Sequence, residues 1–173
     1  MGFNVAAESY DRFMGSWSRL LAPQLADLAG VRAGQHVLDV GSGPGALVAE
    51  LVRRLVPTDV AAIDPSEPFV AAVHARYPGV DARLAAAEAL PFSDDTFDAA
   101  LAQLVVHFMT DPVQGLKEMA RVTRPGGVVA ASVWDHGQGR GPHGPFWTAA
   151  LELDPEAVDQ SRLAGARSGH LVE

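Results

Sequence analysis

The chain has 173 residues, 48% of them hydrophobic and 20% charged, which is the composition of a folding chain and the length of one domain. A net charge of −8, with no basic stripe and no basic-aromatic motif, argues against a nucleic-acid partner and for a small molecule. Cysteine is absent, which excludes disulfides, thiolate metal sites and cysteine nucleophiles. No apolar run reaches the roughly 18 residues of a membrane span and no secretory leader opens the chain, so the expected location is cytoplasmic.

From Ala6 to Ala29 the pattern is helical, with Phe13, Trp17, Leu20, Leu21, Leu25 and Leu28 largely on one stripe and Pro23 expected to separate two segments. Gly30 to Gln35 links this leader (residues 1–30) to a cofactor-binding core expected over 36–135. A strand over 36–40 runs into the turn Gly41-Ser42-Gly43-Pro44-Gly45, and Leu47, Val48, Leu51, Val52 and Leu55 then recur at helical spacing over 46–56. A second apolar strand, Val60 to Ile63, ends at Asp64. Ser66 is placed to cap a helix from Glu67 to Tyr77, Pro78-Gly79 stops it, and Val80 to Leu84 reads as a third strand.

Pro91 to Asp95 is polar turn material, and Phe97 to Val106 is a long apolar strand. Asp111-Pro112 opens a helix carrying Leu116, Met119 and Ala120, whose Lys117, Glu118 and Arg121 read as a solvated face. Arg124-Pro125-Gly126-Gly127 is a sharp stop before a fifth strand, Val128 to Trp134. Residues 136–173 read as a loop with Gly137, Gly139, Gly141 and Gly144, a short helix from Phe146 to Leu153, and a tail. Strand-helix alternation of this kind predicts an α/β fold: a Rossmann-like, doubly wound, mostly parallel sheet with helices on both faces and one domain over 1–173. Its ligand is expected beyond the carboxyl ends of the strands.

The glycine turn holds a cofactor because a side chain there would keep backbone from ligand and because tight turns require positive φ. Gly41-x-Gly43-x-x-Ala46 with Asp64 also satisfies a dinucleotide pattern, which keeps an NAD-dependent oxidoreductase as an alternative. Against it, Pro44 removes an amide from the turn, and the Asp39 carboxylate would repel a phosphate. A carboxylate there suits a donor carrying an ammonium and a sulfonium.

Val37 to Gly45 resembles the first motif of the class I S-adenosylmethionine-dependent methyltransferases, in the small-molecule, type 11-like branch. Asp64-Pro65-Ser66, Ala87-Glu88-Ala89-Leu90-Pro91-Phe92, Phe97-Asp98 through Val106, and Arg121 to Gly127 resemble later family motifs in order, so the likeness covers roughly residues 5 to 135. It implies S-adenosylmethionine as cofactor and methyl transfer to a small-molecule acceptor. Gly41, Gly43 and Gly45 would lie against its methionine part, Asp39 would orient the ammonium, and Asp64 would take the ribose. Pro65 and Ser66 would border the adenine, Ala87 and Glu88 would reach its amino edge, and Gln103 with Leu104 would close the site near the sulfonium. Tyr10, Met14 and Trp17 are the lid candidates from the leader.

Each of these residues also has a plainer reading: Asp64 as a helix cap, Asp39 as a buried structural carboxylate, Glu88 as solvent-facing, the leader trio as core. His107 follows the fourth strand where an acceptor would approach, so it is the one candidate general base; its plain reading is a partly buried histidine. His136 and His143 read as loop residues, and no metal site is expected. The resemblance further implies two strands after the fifth, so the chain is expected to be truncated. That would leave Val128 to Val133 as an exposed edge through which two copies pair, and would make a cofactor-binding but inactive remnant the alternative to an enzyme.

Overall fold

The computed structural model describes residues 10–12, 14–134 and 144–154. His136, His143, Phe13, Gly137, Gly139 and Gly141 therefore lie outside the described residues, as do the start and the tail. The elements follow in the order α1 (Gly15–Leu28), β1 (Val37–Val40), α2 (Ala46–Arg54), β2 (Val60–Asp64), α3 (Glu67–Arg76), β3 (Asp81–Leu84), β4 (Phe97–Gln103), α4 (Pro112–Val122), β5 (Thr123–Ser132) and α5 (Gly144–Leu153). Single 3-10 turns stand at Pro57–Asp59 and Val106–Phe108. None of the described helices is long and apolar enough to cross a membrane.

All four strand pairings are parallel, in the order β3-β2-β1-β4-β5. The chain adds β2 and β3 to one side of β1 and then crosses back to lay β4 on the other. The switch of winding direction therefore falls between β1 and β4, the place where open sheets of this type form a crevice. Every residue of β1 and β2 is buried, which is why both are apolar apart from Asp39 and Asp64 instead of alternating. On one face Val37 packs with Ala22, Leu25, Leu47, Leu51 and Val73; on the other Leu38 and Val40 pack with Phe97, Met119 and Val122. The two-residue period of a strand therefore directs Asp39, like Val37, toward α1 and α2.

Pro23 lies inside a continuous α1 and does not divide it, because the helix is held by tertiary burial. The buried face is also not the leucine stripe: Ser18, Ala22, Leu25 and Ala26 are buried, while Trp17, Leu20 and Leu28 are exposed. Small residues let α1 approach α2 closely, and the larger side chains are left outside. The long fourth strand stops at Gln103, where Leu104 adopts φ 59° and turns the chain into the Val106–Phe108 turn.

The stop at 124–127 is an irregularity inside β5. Thr123 pairs with Phe97 and Val128 with Ala99, so the intervening residues bulge past one partner position. Arg121, read as solvated, instead fastens the segment below β4: its guanidinium donates to Leu90 O, Phe92 O, Asp94 and Glu118, and Glu118 accepts from Leu90 N at 2.9 Å. Asp111 caps α4 by accepting from Gln114 N at 2.9 Å.

Gly45 precedes α2 with φ 99°, and a Cβ there would stand 2.8 Å from the Tyr77 ring. Gly45→Ala is therefore expected to lower stability by about 1–3 kcal/mol, through backbone strain and overpacking together. Urea unfolding checks this, and an unchanged midpoint would show that the turn has room to relax.

Candidate functional site

A cleft of about 490 Å³ opens over the carboxyl ends of β1, β2 and β4. That is a volume suited to a small organic ligand. The turn after β1 forms its floor. Ile63 O accepts from both Gly41 N and Ser42 N at 2.9 Å, and Gly43 N donates to Asp64 Oδ2 at 2.8 Å. The other carboxylate oxygen, Asp64 Oδ1, accepts from Ser66 N at 2.8 Å. One side chain thus locks the turn after β1 to the turn after β2.

Asp64 is 6% exposed, and burial lifts its pKa above the ordinary carboxylate value while the Ser66 and Gly43 amides pull the other way. Each carboxylate oxygen offers about two acceptor positions, so after these two amide bonds each retains one, directed from a fixed carboxylate plane. Two adjacent acceptors at a cleft wall suit a vicinal diol. Gly43, with φ 53°, faces the cleft, where the nearest atom to an added Cβ is on Tyr10 at 3.8 Å. At Gly41, with φ 72°, a Cβ would instead collide with Val105.

Of the residues singled out from the sequence, Gly41, Gly43, Asp64, Pro65, Ser66, Ala87, Glu88, Gln103, Leu104 and Tyr10 line this one cleft. Tyr10 packs on Phe69 with ring centroids 5.3 Å apart, and burial, then the charge of Asp64, raises its pKa. Glu88 has a second engagement, since its Oε1 accepts from Thr110 N at 2.7 Å and Asp111 N at 3.1 Å and so braces the entry to α4. Gln103 ties β4 to the leader by donating to Ser18 O at 3.1 Å. Leu104 carries backbone strain at the cleft wall, which its amide bond to Ser132 O at 2.8 Å helps to hold.

Other candidates stand elsewhere. Met14 is buried in the protein, and Trp17 is 52% exposed and packs edge-on against Trp134, because α1 turns its small-residue face inward. Gly45 meets Tyr77 and Val73 between α2 and α3, outside the cleft lining. His107 is 4% exposed and packs beside Phe108, which takes the lining position in its place. Sequence reasoning missed Phe69, Val105, Phe108 and Met109, which supply apolar wall. A signal existed for Phe69, three residues after Ser66 and hence on the first turn of a helix that starts at a strand's carboxyl end.

Asp39 is 1% exposed and lines a small recess beside the main cleft. No described group hydrogen-bonds either of its oxygens; the Val48 amide approaches without reaching bonding geometry. Burial first, then the Asp64 charge, pushes its pKa up to about 8, with the Val48 amide acting in the opposite direction. Because the folded value lies above the ordinary value of 3.8, the folded state binds the extra proton between these two pH values. Stability then falls by about 1.4 kcal/mol per pH unit as pH rises through that window. Asp39→Asn should therefore melt higher than the wild type near pH 8, with a gain that shrinks toward pH 5. A gain independent of pH in calorimetric melting would contradict the assignment.

The main cleft is lined by Asp64, Glu67 and Glu88 and by no lysine, arginine or histidine among the described residues. Among the same residues no group of histidine, aspartate and glutamate is placed to hold a metal ion.

A family model described as a methyltransferase domain matches residues 38–131, which run from β1 into β5. An uncharacterized methyltransferase of Mycobacterium tuberculosis is 35% identical over 135 residues, 78% of this chain and 52% of that protein. The malonyl-acyl-carrier-protein O-methyltransferase of Erwinia billingiae is 38% identical over 130 residues, 75% of this chain and 51% of that one. A crystal structure of an S-adenosylmethionine-dependent methyltransferase from Aquifex aeolicus superposes with a TM-score of 0.61 at 25% identity, over 78% of this chain and 77% of that one. The chain spans about half the length of the curated relatives it matches.

Proposed function

The chain belongs to the class I S-adenosylmethionine-dependent methyltransferases, and from that premise we propose that its cleft binds S-adenosylmethionine and presents it to a small-molecule acceptor. The observation that carries this reading is Asp64, a buried carboxylate pinned by two backbone amides at the junction of two strand-end turns, with one acceptor position left on each oxygen. That arrangement is built for the two ribose hydroxyls. The remaining residues fit the same ligand. Gly43 leaves room for the methionine part, Pro65, Ser66 and Ala87 border the adenine, and Glu88 lies near its amino edge.

The charge of the site discriminates between cofactors. A dinucleotide brings a pyrophosphate to the glycine turn, but here Pro44 donates no amide, Asp39 and Asp64 stand close by, and the described lining holds no cation. An acidic, glycine-lined cleft favours the cationic donor over NAD. When bound, this donor supplies an activated methyl group whose leaving thioether is neutral. What the chain supplies is alignment and the exclusion of water: the turn fixes one end, Leu104, Val105, Phe108 and Met109 form an apolar wall, and Tyr10 covers the opening beside Gly43. His107 is inside the protein, so no described side chain is assigned as general base, and an acceptor that deprotonates unaided suits this site best. The location that goes with this activity is the cytoplasm.

The decisive measurement is a titration with S-adenosylhomocysteine in competition with NAD. Asp64→Ala is expected to weaken S-adenosylhomocysteine at least about tenfold while keeping the wild-type circular dichroism spectrum. Preference for NAD would remove the reading at its root. A labelled-methyl assay across small acceptors then separates an enzyme from a chain that holds the cofactor without turnover.

The outer edge of β5, with Val128 and Val129 38% and 39% exposed, further supports pairing of two copies through this strand. Light scattering should then report a dimer, and a monomer at high concentration would exclude that contact.

A further inference from the structure

Gly115 is buried in the interior of α4, where its amide donates to the carbonyl of the Asp111 cap at 2.9 Å. A glycine inside a helix is less favourable than alanine, and its φ here is not positive, so backbone conformation does not call for it. Space does. A Cβ at Gly115 would stand 2.5 Å from Met109 Sδ and 3.5 Å from both Met109 Cε and Ala87 Cβ. The missing side chain is thus a socket on the helix, and the end of Met109 fills it beside Ala87.

The backbone that carries Met109 is fixed on both sides. Met109 N donates to Val106 O at 3.2 Å, and the amides of Thr110 and Asp111 are the pair held by Glu88 Oε1. Only the side chain is left to choose its place, and unbranched, rotatable methionine is the residue type that adapts to such a gap. Met109 is half-buried and also lines the main cleft, in common with Ala87 and Glu88. The socket therefore sets how far this wall stands back at the end of the cleft where the adenine is placed above.

We propose that Gly115 is a positioning residue for the cofactor: it takes the end of the Met109 side chain out of the cleft and so sets the room at the adenine end. The proposal rests on the cofactor reading above and adds to it a residue that stands outside the cleft lining and acts through Met109. A Cβ at position 115 would expel the thioether from its socket. The helix and Ala87 close the space behind it, and the pinned backbone cannot follow, so the side chain moves into the one open volume beside it, the cleft. The width of the base end is then the outcome of a pair, a long flexible residue after β4 and an absent side chain on α4.

The test is calorimetric titration of the full chain with S-adenosylhomocysteine and with methylthioadenosine, which keeps the adenosine and lacks the amino-acid end. Gly115→Ala is expected to retain the wild-type circular dichroism spectrum and to weaken both ligands by the same factor, at least about fivefold, because the base is the part they share. In a Met109→Ala background the same substitution should change either constant by less than about twofold, since no thioether is left to expel. Met109→Phe, whose rigid ring does not enter the socket, should reproduce the loss with Gly115 in place.

Unchanged affinity in Gly115→Ala would overturn the proposal and leave the cofactor reading standing. A loss that persists in the Met109→Ala background, or one confined to S-adenosylhomocysteine, would overturn it as well, by placing the disturbance elsewhere than at Met109 or the base. Should Gly115→Ala fail to fold, Met109→Phe decides, and wild-type affinity in that variant counts against the proposal. Absence of S-adenosylhomocysteine binding to the wild type would remove both readings.

Discussion

The bond between Gly43 N and Asp64 Oδ2 is the contact on which the geometry of the site depends. It joins two turns that are 21 residues apart in the chain and neighbours only because β1 and β2 pair in parallel, with Val40 opposite Ile63. The same pairing brings Ile63 O under Gly41 N and Ser42 N. A turn with three glycines has high entropy when unfolded and few side chains to hold it, so its shape must come from backbone bonds to a rigid neighbour. Asp64 supplies that anchor and at the same time presents its remaining acceptor positions to the cleft. Structural anchoring and a place on the cleft wall thus meet in one carboxylate.

A second carboxylate, Asp39, shows the opposite economy. It stands in the most buried strand with no donor to satisfy it, an arrangement that lowers the stability of the folded state as pH rises toward 8. Functional positions concentrate at local conflicts of this kind in an otherwise consistent core. The rest of the strand agrees with its surroundings: Val37, Leu38 and Val40 fill the two layers on either side of the sheet. Asp39 alone is out of keeping with them, and it adjoins the cleft.

The leader and the strand-end segments complete the enclosure by means that differ from residue to residue. Tyr10 and Asp11 reach α3 through an aromatic contact with Phe69 and an ion pair with Arg76, and Gln103 reaches α1 through Ser18 O. Glu88 braces residues 110–111 from the cleft wall, and Arg121 braces residues 90–94. None of these contacts joins chain neighbours, and each is a side chain reaching a backbone or a side chain on another element.

By itself the sequence determined the strand-helix alternation, the parallel sheet, the glycine turn and the candidate carboxylates Asp39 and Asp64. These follow from apolar periodicity, glycine and chain order, which act over a few residues and are written locally. Tertiary structure decided the rest. Which face of α1 is buried depended on how closely it meets α2, so small residues were chosen over most of the leucines; Trp17 was left outside with Leu20 and Leu28, and Met14 was buried away from the cleft lining. Whether His107 or Phe108 lines the cleft depended on a left-handed Leu104, and whether Gly45 faces the cleft or packs against a neighbouring helix depended on where Tyr77 lands. These are outcomes of long-range contact and backbone direction, which a single sequence encodes only through the whole fold.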